Sequence, residues 1–209
     1  MKKLSVIFDI DGVIVDSEQL HFEVLQVLVP NYIKKFNPQQ LVGLSLKETL
    51  RLIGVNDLLI SDIESKVGIT YERLLTINSI RSDVNRLISL LLQHDIPFGF
   101  VSTAPRNICL ANLKLLGLEF DPPLISGDDI EKTKPHPDPY IKMLEIIGAN
   151  PENTVVIEDT DLGIWSAKEA GIKRIYAWPH ALSDNQNYQH ASAIIINLFD
   201  IEEFSTLSY

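Results

Sequence analysis

The stretch Leu4-Ser5-Val6-Ile7-Phe8-Asp9-Ile10-Asp11-Gly12 decides the fold. Its first half is a short apolar run with two β-branched residues, and it stops abruptly at Asp9. A run of this length bounded by polar turn residues reads as a strand buried on both faces, the pattern of a parallel sheet. Similar runs follow at Ile96–Val101, Thr154–Ile157, Ile172–Ala177 and Ala193–Ile196. Helical patterns lie between them. One opens at Pro105 and stops at Gly117. Another opens at Asp138-Pro139, carries Tyr140, Ile141, Leu144 and Ile147 at helical spacing, and ends before Gly148. A third runs from Leu162 to Ala170 before Gly171. Pro at the first turn and Gly past the last are the expected punctuation. Strands alternating with such helices predict an α/β fold, a parallel sheet with helices on both faces.

Residues 17–80 break the alternation. They contain helical spacings (Leu20, Val24, Leu28; Leu46, Leu50, Ile53; Ile63, Val67, Leu74) and no strand pattern. About 60 residues exceed one crossover, so an inserted helical domain over 17–80 is expected, with 1–16 and 81–209 forming a discontinuous α/β core. With 209 residues, 45% of them hydrophobic, the chain can bury a sizeable core. Lys and Arg number 18 against 28 Asp and Glu, a net charge of −10. That balance argues against broad nucleic-acid binding, which needs a basic face. Apolar stretches of five to six residues fall far short of a membrane span of ~20. The run after Met1-Lys2-Lys3 is ended by Asp9 and Asp11 too early for a signal peptide. The single cysteine, Cys109, excludes an intrachain disulfide and reads as a small buried hydrophobe. A cytoplasmic protein is expected.

Four polar clusters stand where apolar strands end, the place where open α/β sheets form their ligand crevice. Asp9 and Asp11 follow the first strand on one side of it, with Ile10 turned away. Two carboxylates so close repel unless a cation or proton intervenes, which suits a hard divalent metal. Ser102-Thr103 follow the strand ending at Val101, where a hydroxyl and backbone N–H groups at a helix start can take an anion. Lys134 precedes Pro135, in a loop stiffened by Pro137 and Pro139, and is favoured over Lys132 as a presented ammonium. Glu158-Asp159 follow the strand ending at Ile157, and buried acids there require a partner or a metal. Asp161 reads as a helix N-terminal acid.

In this order the clusters resemble the haloacid dehalogenase superfamily over nearly the whole chain. Phe8-Asp9-Ile10-Asp11-Gly12 is similar to its D-x-D-G motif, Ser102 to its second motif, Lys134-Pro135-His136-Pro137-Asp138 to its third and Glu158-Asp159 to its fourth. The spacing and the helical insert resemble the subgroup of beta-phosphoglucomutase and phosphoglycolate phosphatase. The resemblance implies a Rossmann-like core with an all-helical cap and a Mg²⁺-dependent phosphatase of a small phosphorylated metabolite. It implies Asp9 as nucleophile forming an aspartyl-phosphate, and Asp11 as acid and then base, with its carbonyl on the metal. Asp159 completes the metal site with Glu158 assisting. Ser102, the Thr103 N–H and Lys134 hold phosphoryl oxygens.

Within the cap, His21 matches a histidine common in the family that can meet Asp11 on closure, with Glu18 beside it. Val42-Gly43-Leu44-Ser45 resembles the loop that touches substrate, which puts Gly43, Ser45 and Lys47 at the cleft. Beta-phosphoglucomutase carries an Arg where Leu46 stands here, so a mutase is the second reading. A non-catalytic phosphometabolite-binding module is a third, disfavoured by the presence of Asp9, Asp11 and Asp159. Dehalogenation is disfavoured by the second Asp of the first motif, and carbon–phosphorus hydrolysis because it uses another residue there. Trp165 and Trp178 read as packing, Trp178 beside a rim loop. His136 reads as exposed, and His180 and His190 carry no expected role. The sequence sets no oligomeric state, and a monomer is compatible with it.

Overall fold

A computed structural model describes residues 4–41, 44, 46–182, 186–205 and 207. Six strands, β1 (Ser5–Asp9), β2 (Phe98–Val101), β3 (Leu124–Ile125), β4 (Thr154–Glu158), β5 (Arg174–Ala177) and β6 (Ala193–Ile194), form one sheet in the order β3-β2-β1-β4-β5-β6. Every neighbouring pair is parallel. The order reverses between β1 and β4, which opens a crevice at their carboxyl ends. Register aligns the contents of that crevice: Asp9 pairs with Val101, the residue before Ser102, and Phe8 pairs with Ile157, the residue before Glu158.

Side-chain alternation along β1 feeds two cores. Val6 and Phe8 pack with Val84, Leu87, Ile88 and Leu91 of α5 (Val84–Gln93), with Cys109 and Leu113 of α6 (Arg106–Lys114) and with Phe204 of the short α9 (Glu202–Ser205). Ile7 faces the other way, with Tyr140, Met143 and Leu144 of α7 (Asp138–Ile146) and Ile164 and Ala167 of α8 (Asp161–Glu169). Each fully buried aliphatic or aromatic side chain here is worth about 1.5–3 kcal/mol. Gly99 of β2 is required by this packing, since a Cβ there would overlap the Met143 sulfur.

The helices before α5 bury a cluster of their own. α1 (Ser17–Leu28), α2 (Pro30–Ile33), α3 (Leu46–Leu52) and α4 (Asp57–Leu74) enclose Leu20, Val24, Leu25, Ile33, Leu50, Ile60, Val67 and Tyr71, joined by Ile108 from α6. The chain enters and leaves this group through two strands of linker lying side by side. Asp16 N–H donates to the Ser79 carbonyl at 2.8 Å and Arg81 N–H to the Ile14 carbonyl at 3.0 Å.

Several expected bounds move. β2 starts at Phe98, after Pro97, whose carbonyl accepts from Val6 N–H instead of extending the strand. β5 starts at Arg174, and β6 stops after two residues, leaving Ile196 on the surface. The expectations had no strand at Leu124–Ile125 and no helix at Val84–Gln93. Trp178 is buried as expected, whereas Trp165 lies half-exposed on the surface against His190. Cys109 is fully buried and His136 exposed, both as expected. Among the described residues no helix is long and apolar enough to cross a membrane.

Candidate active site

The ends of β1, β2 and β4 and the loop before α7 deliver the acids, the hydroxyl and the ammonium to one cleft of about 800 Å³, roofed by α1, α3 and α4. Asp9, the last residue of β1, accepts a short hydrogen bond from Lys134 Nζ. The same ammonium donates to Glu158 Oε1 at 2.5 Å, and its side chain is 5% exposed. Lys134 reaches this position from the loop before α7, past the carboxyl end of β2, where the Val101 carbonyl lies 3.5 Å from it. Burial lowers the proton affinity of this amine, but Asp9 and Glu158 override it and hold Lys134 charged.

Asp9, Glu158 and Asp159 each offer an oxygen within 4.8 Å of the others, and all three are buried. Burial first, and then the mutual repulsion of the acids, pushes Asp9 well above the usual carboxylate range, against the pull of Lys134. Asp159 moves up for the same leading reason. Three ionised carboxylates against one ammonium leave two negative charges without a partner. A buried surplus of that size requires protons or a divalent cation. Neither Asp159 oxygen accepts a hydrogen bond among the described residues. Carboxylate oxygens are the ligands that Mg²⁺ selects. The donor set therefore fits such an ion.

Glu158 is different, because its oxygens are already engaged. Oε1 accepts from Lys134 and from the Tyr140 hydroxyl at 2.8 Å. Oε2 accepts from Asp159 N–H, Thr160 N–H and the Thr160 hydroxyl at 3.0–3.2 Å. A carboxylate has about four lone-pair positions, so this one is saturated. Gly163 explains how α8 comes so near: a Cβ there would overlap the Glu158 carboxylate. Thr160 caps the helix by accepting from Gly163 N–H at 3.2 Å. Asp161, expected at this helix start, also accepts from Asn187 and Tyr188 N–H at 2.8 and 2.7 Å.

Asp11 lines the cleft and has partners of its own. Its carboxylate accepts from the Ser17 hydroxyl at 2.8 Å, the Ser102 hydroxyl at 2.9 Å and Asn112 Nδ2 at 3.4 Å. His21 Nε2 lies 3.8 Å away. Burial pushes this acid up, but His21 and the two hydroxyls prevail and hold it below its ordinary value. Ser102 also accepts from Ala104 N–H at 2.9 Å, which fixes its hydroxyl at the start of the turn into α6. Thr103 and Lys47 line the cleft and are exposed, while Gly43 and Ser45 fall outside the described residues.

Three residues of this neighbourhood carried no sequence signal. Asn112 is bridged to Asp11 and accepts from the buried Tyr71 hydroxyl at 2.7 Å, linking α6 to α4. Arg81 donates to the Gly12 carbonyl, to the Trp178 carbonyl at 3.0 Å and to the Pro179 carbonyl at 2.7 Å. His180, which carried no expected role, has Nε2 3.2 Å from Asp159 Oδ2. That expectation is corrected: the loop after β5 turns back over the β4 end, which sequence separation does not reveal.

The order of these strand ends and the contents of the cleft match a known family. The family described as haloacid dehalogenase-like hydrolase matches residues 6–177. The chain belongs to that family. A phosphorylated carbohydrates phosphatase of Thermotoga maritima is 30% identical over 202 residues, covering 92% of this chain and 93% of that protein. Pyrophosphatase PpaX of Bacillus cereus is 29% identical, covering 83% and 82%. Among solved structures, CbbY of Rhodobacter sphaeroides in complex with phosphate has a TM-score of 0.79 at 20% identity, covering 93% of this chain and 94% of that one. Beta-phosphoglucomutase of Clostridium difficile has a TM-score of 0.75 at 23% identity, covering 99% and 96%. These two likenesses concern the fold. As a haloacid dehalogenase-like hydrolase, the chain carries acids and a hydroxyl at the ends of β1, β2 and β4 and a lysine in the loop before α7.

Proposed function

We propose that this chain is a Mg²⁺-dependent phosphatase that hydrolyses a small phosphorylated metabolite through an aspartyl-phosphate intermediate. The observation that carries the reading is the gathering of the buried Asp9, Glu158 and Asp159 within reach of one cation, with Lys134 bound to two of them. The carboxylates of Asp9 and Asp159 and the carbonyl of Asp11 hold the ion, while Glu158 assists by fixing Lys134. Bound there, Mg²⁺ neutralises the charge that keeps an anionic phosphoryl group from an anionic nucleophile.

The chain's own groups do the rest. An Asp9 oxygen bonds to phosphorus as the ester oxygen departs, taking a proton from Asp11. Asp11 then removes a proton from water, which attacks phosphorus, releases phosphate and restores Asp9. The Ser102 hydroxyl, the Thr103 N–H and the Lys134 ammonium hold the phosphoryl oxygens and so supply positioning and charge stabilisation. Residues 17–80 act as a cap that excludes water, with His21 meeting Asp11 and with Lys47 toward the leaving group. The phosphorylated carbohydrates phosphatase supports a phosphosugar as the substrate class. All of these groups come from one chain, and its one buried cysteine suits the cytoplasm.

A panel of phosphorylated metabolites that includes beta-glucose 1-phosphate, assayed with Mg²⁺ and with EDTA, tests the reading. Phosphate release is expected with Mg²⁺ only, and Asp9→Asn is expected to abolish it. Wild-type turnover by Asp9→Asn would refute the nucleophile, and accumulation of an isomerised phosphosugar would favour a mutase.

A further inference from the structure

His180 lies outside all four motifs, yet its ring is packed against the acid cluster. We propose that His180 is a positioning residue for Asp159: its imidazole, carrying a proton on Nε2, engages Oδ2 and leaves Oδ1 to face the cation. The inference rests on the metal-dependent reading of this site. Nε2 sits 3.2 Å from Asp159 Oδ2, and both side chains are 2% exposed, so water does not compete for either. The opposite ring nitrogen fixes the tautomer. Nδ1 accepts from Leu182 N–H at 3.2 Å, which requires a lone pair there and places the ring proton on Nε2.

The other acids that follow β1 and β4 have partners that hold them. Asp9 has Lys134, Asp11 has two hydroxyls, and Glu158 is saturated. Among the described residues no hydroxyl or amide donates to Asp159, and His180 Nε2, 3.2 Å from Oδ2 though not aligned for a hydrogen bond in this geometry, is the group placed to set its rotamer. The ring is itself held. Arg81 grips the carbonyls of the two residues before it, and its guanidinium stacks on the Trp178 ring at 3.5 Å. Gly12 closes the other side. It has φ +81°, and a Cβ there would overlap the Asp159 carboxylate and lie 3.2 Å from His180 Cδ2. The loops after β1 and β5 are thereby packed around one carboxylate. Partners of this kind that orient a metal ligand typically contribute 10–100-fold to affinity.

Calorimetric titration with MgCl₂ alone compares wild type with His180→Asn and His180→Gln. The Asn amide matches only the Nδ1 position, whereas the Gln amide nitrogen reaches toward Nε2. His180→Asn is expected to weaken Mg²⁺ binding by about 10–100-fold, and His180→Gln to recover most of that loss. Equal binding by wild type and the Asn variant would overturn the inference. Histidine ¹⁵N spectra of the wild type give a second reading that depends on no variant. The Nε2–H tautomer with a shift on adding Mg²⁺ is expected, and an Nδ1–H tautomer overturns the proposal. Wild type that binds no Mg²⁺ at all refutes the metal-dependent reading itself, a result distinct from either of these.

Discussion

Ser102 cannot serve Asp11 and a phosphoryl oxygen with the same proton. In the structure its hydroxyl donates to Asp11 Oδ2 at 2.9 Å and helps hold that acid ionised. When the hydroxyl turns to phosphate, Asp11 loses one of the bonds that favour its charged form, and its affinity for a proton rises. That exchange would ready Asp11 to protonate a departing oxygen as substrate arrives. Asp11→Ala is expected to slow an alkyl phosphate by about 10²–10⁴-fold, and an aryl phosphate with a good leaving group far less. Equal slowing of the two esters in steady-state assays would remove Asp11 from the role of acid. His21 and Asn112 complete the setting of this acid. The first was legible as a family position, and the second was not, because a buried Asn on α6 looks like any helical polar residue until Tyr71 and Asp11 are seen on either side of it.

At the scale of elements, the approach of α8 to β4 is the tightest constraint on the site. Thr160 both caps α8 and donates to Glu158, so helix start and acid are fixed by one hydroxyl. Gly163→Ala would drive a methyl into the Glu158 carboxylate. Overpacking of this kind costs about 1–3 kcal/mol. The denaturation midpoint is expected to fall with an unchanged slope, and a midpoint equal to wild type would show that the helix gives way freely. β1 and β4 were legible because each is an apolar run ending in acids. β3 was not, since two residues after Pro122-Pro123 display no period. α5 was not legible either, although Val84, Leu87, Ile88 and Leu91 form an apolar helical face. Its start departs from the usual signals: Asp83 sits in the left-handed region at φ 63° and makes no side-chain cap.

For the whole molecule, the decisive quantity is the buried charge. Three carboxylates and one ammonium in a desolvated cleft oppose folding unless protons or a cation balance them. A ligand that binds only the folded chain stabilises it by about 2.7 kcal/mol at 100 times its dissociation constant. For a chain of this length each kcal/mol raises the midpoint by about 2–4 °C. Saturating Mg²⁺ is therefore expected to raise the melting temperature by about 5–10 °C, and Asp159→Asn to lose most of that response. A melting curve indifferent to Mg²⁺ and EDTA would count against the ion site as a whole.

The sequence alone carried the parallel sheet, the helical stretch between β1 and β2 and the polar clusters at the ends of β1, β2 and β4. Those are local properties: a strand buried on both faces must be apolar throughout, and its first polar residue marks where it meets solvent or a site. Tertiary structure alone decided which acids share a partner. It gave Lys134 to Asp9 and Glu158, Ser102 to Asp11, and His180 to Asp159. These contacts join residues 21 to 125 positions apart, and the strand order with the registers of β1, β2, β4 and β5 brings them together.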